Sequence, residues 1–494
     1  ERGHRFQSNT DTEVILHGYE EWGINILDKL VGMFAFGIWN RETRTLLLAR
    51  DRFGIKPLYY YHNKKMLLFA SELKGIMADK QTKKSISPNA LHAFFVHRTV
   101  PAPHTIWQDV FKLEPAHYLT FNFNSGDIQK YQYWQLDSSQ NMPPTNEILD
   151  KTEHLLQESV LSHMVSDVPV GLFLSGGLDS SLVGAYASKQ SDKLQSFTIG
   201  FDNWKKNEAP FARPIANHLN IKYNESTLTI STEQNEAFLN KIAWHYDEPL
   251  GGTSFVPTFF INKAAARHNK VMLSGDGGDE LFAGYNWYQI IHQHTNRFIK
   301  PGRGKLIRAY LKHNTWAKIN DAEAGKILNI PTSYQSEKLF TDVKKSKSEE
   351  IKFLQKLDIQ LFLSDVVLTK VDRASMASSV EVRVPFLDHR IAEYMFSLNE
   401  QMYFSPGKIK PLLYKLLERH MPNGLFNRPK KGFGAPIKQL FTKDIILAKT
   451  ANSSLVKDGI VNPAYIEQMR QKQKINKLYP LFILENWYQY WIRK

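Results

Sequence analysis

Short runs of apolar positions separated by polar ones fill the first 135 residues and favour β-strands over long helices there. The four clearest apolar runs, each bounded by turn-forming residues, cover positions 31–39, 46–49, 58–61 and 67–70. Before them, residues 11–19 have the spacing of a short helix, which Thr10 or Asp11 can cap. After them, the polar and proline-bearing stretch at 137–146 is the best candidate for a linker.

The pattern changes after the linker, where helical and strand-like segments alternate. Helices are predicted over residues 147–166, 182–188, 210–219, 233–246 and 255–268. Strands are predicted over residues 168–174, 196–201, 222–227 and 271–274. Such alternation predicts a parallel sheet with helices on both faces. Beyond Tyr285 the strand signals fade, and the rest of the chain is predicted to be helical.

Length and composition narrow the class of protein. A chain of 494 residues exceeds what one hydrophobic core usually serves, so two domains are expected. The 42% of hydrophobic residues argues against a mostly disordered chain, and no apolar run is long enough to span a membrane. The sequence has no cysteine, which excludes disulfides, zinc–thiolate sites and a cysteine nucleophile within these residues. A chain of this kind needs no oxidising compartment, so a cytoplasmic location is expected.

The chain is basic, with 63 lysines and arginines against 49 acidic residues and a net charge of +14. This balance raises the alternative of a nucleic-acid-binding protein. The aromatic residues, however, do not interleave with the basic clusters, so no nucleic-acid partner is expected. The cluster within residues 297–312 is interpreted as a solvated helical face. A second cluster, within residues 408–431, includes Lys430.

The segment LSGGLDSS at positions 174–181 lies where a predicted strand ends and a helix begins. That junction presents free backbone N–H groups and the positive end of a helix to an anion. Glycines let a phosphate approach the backbone, serines add hydroxyl donors, and Asp179 can hold a cation. The segment is not a Walker loop, because no Gly-Lys-Ser/Thr follows. The alternative is a capped strand–turn–helix that binds nothing.

The segment LSGDGGDE at positions 273–280 also follows a predicted strand of the same sheet. Open α/β sheets bind ligands at the carboxyl ends of their strands. Carboxylates beside a phosphate loop indicate Mg²⁺, which takes carboxylate and phosphate oxygens together. A tight acidic turn is the alternative, but two such loops in one sheet disfavour it. They also disfavour a non-catalytic scaffold.

Several motifs together resemble one family. The two loops, with KVDRASM at 370–376 and EVRVPFLD at 381–388, resemble the glutamine-hydrolysing asparagine synthetases. In the first domain, DTEVI at 11–15, GMFAF at 32–36 and ARDRFGIKPL at 49–58 resemble the second half of that family's N-terminal-nucleophile glutaminase. The resemblance covers essentially the whole chain.

The resemblance implies an α/β protein of two parts. Residues 1–136 would form a partial α/β/β/α glutaminase, a type 2 glutamine amidotransferase domain without its nucleophile half. Residues 137–146 would be the linker, and 147–494 a parallel-sheet ATP-pyrophosphatase domain extended by helices. The family's N-terminal Cys, an Arg and an Asn-Gly-Glu segment are absent before Asp11, so several dozen residues are expected to precede Glu1. A natural ammonia-only enzyme is the weaker alternative, because half a glutaminase would expose unpaired strands.

The resemblance also implies a reaction, in which ATP adenylates the side-chain carboxylate of aspartate and ammonia from glutamine displaces AMP after pyrophosphate has left. The implied ATP-binding residues are Phe173, Ser175, Gly176, Gly177, Asp179, Ser180, Ile199, Ser274 and Gly275. Asp179 and Asp279 would bind Mg²⁺. Lys430 would hold the leaving pyrophosphate, where a fixed cation lowers the barrier. Asp11 would bind the α-amino group of glutamine, and the resemblance leaves room for a homodimer.

Asp276 departs from the family pattern, because asparagine synthetases often have Glu at this position. The resemblance implies that this carboxylate acts on the amine or the tetrahedral intermediate. Asp is one methylene shorter, which changes its reach by about 1.5 Å. The alternative function is therefore a related amidotransferase that amidates another carboxylate, such as a uronic acid of a surface polysaccharide.

Overall fold

Three β-sheets organise the protein. The computed structural model describes residues 3–63, 66–137, 141–201, 204, 207–228, 235–295, 302–314, 319–345, 348–428, 434 and 440–493. Strands β1 to β12 cover Ala35–Asn40, Thr45–Arg50, Tyr59–Asn63, Met66–Ala70, Val110–Lys112, His117–Asn122, Ile128–Gln132, Val170–Phe173, Gln195–Phe201, Lys222–Leu228, Val271–Leu273 and Glu381–Arg383.

Helices make up most of the remaining described structure. The longer α-helices cover Asp11–Trp22, Pro88–His97, Thr145–His163, Leu178–Ala187, Ala209–His218, Asn235–Tyr246, Phe255–Ala265, Asn286–Thr295, Arg303–Asn314, Glu350–Leu357, Thr369–Met376, His389–Ser397, Pro411–Glu418, Lys443–Ala451, Pro463–Gln471 and Ile475–Tyr488. Shorter ones cover Ile26–Lys29, Leu73–Met77, Gly278–Leu281, Asp321–Ile327, Thr341–Lys344, Asn423–Phe426 and Ser454–Lys457. A π-helical segment, Asp358–Leu368, precedes Thr369–Met376. Within the described ranges, none of the helices combines the length and the apolar character needed to cross a lipid bilayer.

The strand-rich first region forms two antiparallel sheets, with strand orders β1-β2-β6-β7 and β4-β3-β5. The apolar side chains of strand β2 lie on both faces of the four-stranded sheet, and the strand is buried on both faces. Leu48 of β2 is paired with Leu119 of β6, and both are fully buried. The Asp51 carboxylate then fixes the turn after β2 by accepting the backbone N–H groups of Ile55 and Lys56, each at 2.9 Å.

The second region forms one parallel sheet in the order β10-β9-β8-β11-β12. Helices alternate with its first strands along the chain, which confirms the predicted α/β class. The central strands are the most apolar: Leu172 of β8 and the pair Met272 and Leu273 of β11 are fully buried. Burial on both faces is what a parallel sheet covered by helices requires.

Two local predictions were wrong. Strand β12 lies well beyond Tyr285, where only helix was expected; its three residues are too few for a strand pattern to show. Thr10 lies at the cap position of Asp11–Trp22 but makes no capping hydrogen bond. Its hydroxyl instead lies 3.0 Å from the Ser8 hydroxyl.

The domain boundaries stay a prediction, and helix Thr145–His163 begins inside the stretch assigned to the linker.

Candidate active site

The parallel sheet reverses its order of strand addition between β8 and β11, which are neighbours. The chain runs outward from β8 through β9 to β10, then returns to add β11 and β12 on the other side. Such a switch leaves a crevice at the carboxyl ends of the two strands, where open α/β sheets bind ligands. Both predicted loops lie there, one directly after β8 and the other directly after β11.

Hydrogen bonds to the hydroxyls of its own serines fix the conformation of the loop after β8. The backbone N–H of Ser175 donates to the Ser180 hydroxyl at 3.2 Å, and the N–H of Gly177 donates to the Ser175 hydroxyl at 3.2 Å. Gly176 has a φ of +75°, and a Cβ there would lie 2.7 Å from the backbone of Phe211. Glycine is required at this position both by conformation and by space.

The loop after β11 packs directly against the first loop. A Cβ on Gly275 would lie 2.8 Å from the backbone nitrogen of Ser180, so the two backbones touch only because no side chain intervenes. Within the second loop, the Ser274 hydroxyl donates to the Asp276 carboxylate at 2.5 Å and fixes its direction. The structure therefore brings together two motifs that are about a hundred residues apart in the sequence.

The ammonium group of Lys410 lies between carboxylates from both loops. Its Nζ donates to the two carboxylate oxygens of Asp179 at 2.6 Å and lies 2.5 Å from Oδ1 of Asp279. The side chain is only 2% exposed. Burial alone lowers the pKa of Lys410, but the two carboxylates outweigh that effect and raise the pKa above its ordinary value. Lys410 is therefore a permanent cation at the junction of the two loops.

Asp179 and Asp279 fit a shared metal ion as well as a shared ammonium group. Their oxygens converge on one point, and carboxylate oxygens are the ligands that Mg²⁺ takes together with substrate phosphates. Mg²⁺ bound to both carboxylates would compete with Lys410 for them.

A cavity of about 720 Å³ opens beside the loops, a size typical of small-molecule sites. The sequence-predicted residues that line it are Phe173, Ser175, Gly177, Asp179, Ser180, Ile199, Ser274, Gly275, Asp276 and Asp279. Gly176 is not in the lining, because it faces the backbone of Phe211. Phe173 and Ile199 make one part of the wall apolar, whereas the two loops make the other part polar.

Further ionisable groups line the same cavity. Glu280 is buried, and burial raises its pKa to about 8, with the neighbouring Asp279 adding to the effect. The Tyr285 hydroxyl donates to the Glu280 carboxylate at 2.6 Å. Lys370 is also buried; burial lowers its pKa, against the attraction of Asp276 and Glu280. The cavity thus carries acidic and basic groups in a water-poor environment, which is typical of active sites.

Arg428 connects the basic C-terminal cluster to the first loop. Its Nη2 donates to the backbone oxygen of Ser175 at 3.0 Å, and its guanidinium lies 4.6 Å from the centre of the Phe211 ring. Lys430, assigned to the pyrophosphate from the sequence, lies outside the described residues.

Asp11 does not line this cavity. It is exposed in the first turn of Asp11–Trp22, in the part of the chain that carries the antiparallel sheets. Its role in binding glutamine stays a prediction.

Sequence reasoning missed Lys410, Glu280, Tyr285 and Lys370. The signal for Lys410 was weak: it is one member of a basic cluster, and it precedes the proline that starts helix Pro411–Glu418. Lys370 is the first residue of the KVDRASM segment, and the family resemblance of that segment implies no role for this residue.

Family models match almost the entire chain. The model described as asparagine synthase matches residues 151–489, and the model described as glutamine amidotransferase domain matches residues 1–134. The first match contains the parallel sheet and both of its loops, and the second contains both antiparallel sheets.

Curated proteins agree with these matches. Asparagine synthetase [glutamine-hydrolyzing] 1 of Bacillus subtilis is 31% identical, over 100% of this chain and 83% of that protein. A putative asparagine synthetase [glutamine-hydrolyzing] 2 of Methanocaldococcus jannaschii is 33% identical, over 77% of this chain and 79% of its own. A putative asparagine synthetase [glutamine-hydrolyzing] of Mycobacterium bovis is 30% identical, over 89% of this chain and 72% of that protein. With these matches, and with both loops at the carboxyl edge of its parallel sheet, the chain belongs to the asparagine synthase family.

Proposed function

We propose that this protein makes asparagine from aspartate and ATP, with glutamine or ammonia as nitrogen donor, through a β-aspartyl-AMP intermediate. Family membership makes it an ATP-dependent amidotransferase. Aspartate as the acceptor is the finer part of the proposal. The observation that best supports the ATP-dependent step is the convergence of Asp179, Asp279 and Lys410 at the junction of the two loops.

Adenylation would use the loop after β8. The backbone N–H groups at the start of helix Leu178–Ala187 and the hydroxyls of Ser175 and Ser180, which lie 3.0 Å apart, would bind phosphate oxygens. An oxygen of the acceptor carboxylate attacks the α-phosphorus of ATP, and the bond between that phosphorus and pyrophosphate breaks. Negative charge develops on the leaving pyrophosphate, and Lys410 is a fixed cation that stabilises it.

Amide formation would use the loop after β11. The nitrogen of ammonia attacks the acyl carbon of the adenylate, and AMP leaves with the bonding electron pair. The attacking nitrogen must lose a proton, and Asp276 is the carboxylate proposed to accept it. Since the Ser274 hydroxyl holds that carboxylate at 2.5 Å, the base is oriented before the substrate arrives.

The acceptor is tested by comparing carboxylates with ammonia as the nitrogen donor, so that the rate reports on this cavity alone. AMP release should be fastest with aspartate and slower by at least about tenfold with glutamate, because one methylene is worth about 10–200-fold in a fitted site. Mass spectrometry should identify asparagine as the product. Faster AMP release with glucuronate than with aspartate would overturn the proposal and favour the uronic-acid alternative.

We further propose that Asp179 and Asp279 hold Mg²⁺ with the phosphates of ATP, where the ion would neutralise phosphate charge. Asp279→Asn should then slow pyrophosphate release and raise the Mg²⁺ concentration for half-maximal rate by about tenfold or more, because a charged ligand becomes neutral. The measurement is a Mg²⁺ titration of pyrophosphate release. Asp342→Asn, at an 89% exposed side chain, is the matched control. An unchanged Mg²⁺ requirement in Asp279→Asn would remove that residue from the site.

A further inference from the structure

Two histidines and three glutamates gather on one face of helix Asp11–Trp22. His17 and Glu20 lie three positions apart on this helix, so their side chains are neighbours. His4 comes from the segment before the helix, and its ring centre lies 4.8 Å from that of His17. This cluster plays no part in the cavity of the parallel sheet.

The two imidazoles turn the same nitrogen toward one carboxylate. Nδ1 of His17 lies 2.8 Å from Oε2 of Glu20, and Nδ1 of His4 lies 3.6 Å from the same oxygen. One ligand atom from each of the three residues lies within 4.8 Å of the others. In the part of the chain that the structure describes, this is the one group of three such residues.

The opposite ring nitrogens face two other carboxylates. Nε2 of His17 lies 3.5 Å from Oε1 of Glu13, and Nε2 of His4 lies 3.5 Å from Oε2 of Glu21. Metal-binding histidines usually have a carboxylate or carbonyl on the nitrogen that does not bind the metal, because it fixes the ring and its tautomer. Both rings have that arrangement here.

Glu13 also holds the segment that carries His4. Its carboxylate accepts the backbone N–H groups of Gln7 and Ser8, each at 2.7 Å, and the Ser8 hydroxyl at 2.5 Å. These bonds lower the pKa of Glu13 to about 2, the Ser8 hydroxyl contributing most. The position of His4 beside the helix is therefore fixed by several hydrogen bonds rather than by chance contact.

We propose that His4, His17 and Glu20 bind one divalent transition-metal ion of the zinc type. Zn²⁺ takes imidazole nitrogen and carboxylate oxygen at about 2.0–2.2 Å in a tetrahedron, which places its ligand atoms about 3.3 Å apart. The 2.8 and 3.6 Å separations to Glu20 bracket that value. Glu20 is 51% exposed, so water can complete the coordination.

The consequence of such a site would be local. The ion would join the segment around His4 to the second half of helix Asp11–Trp22, where His17 and Glu20 lie. The proposal does not depend on the reaction assigned to the other cavity, because the two sites share no residue.

The test is a calorimetric titration of the metal-free, untagged full chain with Zn²⁺ alone, followed by metal analysis after dialysis. One equivalent is expected to bind. His17→Gln and His4→Gln should each weaken it by more than the roughly 10–100-fold that loss of an outer-shell partner costs. His154→Gln is the matched control, since His154 faces a single carboxylate, Glu158, at 3.3 Å on an exposed helix face. Its isotherm should equal that of the parent.

Three further results decide the assignment. An excess of Mg²⁺ should leave the zinc isotherm unchanged, because Mg²⁺ prefers oxygen ligands over imidazole. A zinc equivalent that Mg²⁺ displaces, or that Asp279→Asn abolishes, would belong to the phosphate loops and overturn the proposal. No stoichiometric binding, or equal weakening in the His17 and His154 variants, would also overturn it. Circular dichroism of each variant confirms that the fold is retained.

Discussion

Lys410→Met is expected to slow pyrophosphate release by about 10²–10³-fold, the usual effect of removing a group that faces transition-state charge. Two causes act together. The leaving pyrophosphate would lose a cation, and the carboxylates of Asp179 and Asp279 lose the ammonium group that lies between them in the metal-free site. The measurement is the rate of pyrophosphate release at saturating ATP, aspartate and ammonia.

Lys457→Met is the matched control, because Lys457 is exposed and does not line the cavity. Exposed substitutions usually change stability by no more than about 0.5 kcal/mol, so its rate should stay close to that of the parent. Lys410→Arg keeps the charge and should retain more activity than Lys410→Met. Thermal unfolding of all three variants separates a loss of fold from a loss of rate. Equal rates for Lys457→Met and Lys410→Met would contradict the role given to Lys410.

The two loops could be predicted from the sequence because their signal is local. A glycine pair followed by aspartate and serines at the end of an apolar run has few other structural uses. Gly176 needs a positive φ, and Gly275 allows two backbones to touch. Any chain that folds this way therefore needs glycine at these two positions, and the glycines are visible in its sequence. The parallel sheet was predictable for a related reason, since its strands and helices alternate regularly.

The charge at the junction could not be predicted in the same way. Lys410 meets Asp179 across 231 residues of sequence, and nothing near Lys410 distinguishes it from the exposed lysines around it. Strand β12 is similar, because its three residues are assigned to the sheet by pairing with β11 and not by their own pattern. Long-range partners, rather than local propensity, determine both features.

Arg373 is another residue whose role depends on distant partners. It lies on helix Thr369–Met376, is 2% exposed, and donates from Nη2 to the backbone oxygen of Ser71 at 2.7 Å. Its Nη1 lies 3.2 Å from Glu72 and 3.9 Å from Asp247. Ser71 and Glu72 belong to the region matched as a glutamine amidotransferase domain, whereas Arg373 belongs to the region matched as asparagine synthase. The guanidinium therefore joins the two regions.

Asp247 gives this contact a pH dependence. Its carboxylate is fully buried, and burial raises its pKa to about 6, against the opposing effects of Arg373 and Lys74. The folded protein thus binds a proton more tightly than the unfolded chain, whose aspartates have a pKa near 3.9. The contribution of Asp247 to the free energy of unfolding is therefore greatest below about pH 4 and declines as the pH rises through about 6.

Arg373→Met is accordingly expected to lower the free energy of unfolding by about 3–5 kcal/mol at pH 8, since it leaves buried negative charge without its main partner. The loss should be smaller at pH 5, because without Arg373 the pKa of Asp247 rises further and the carboxylate is protonated there. Urea unfolding at both pH values measures the difference. Arg213→Met removes an exposed ion pair with Glu225, at 60% exposure, and should change the free energy by only about 0–1 kcal/mol at either pH. Two results would contradict this role. The decrease in the free energy of unfolding of Arg373→Met could be as small as that of Arg213→Met, or it could be the same at pH 5 and pH 8. Either result would show that Arg373 does not compensate the charge of the buried Asp247.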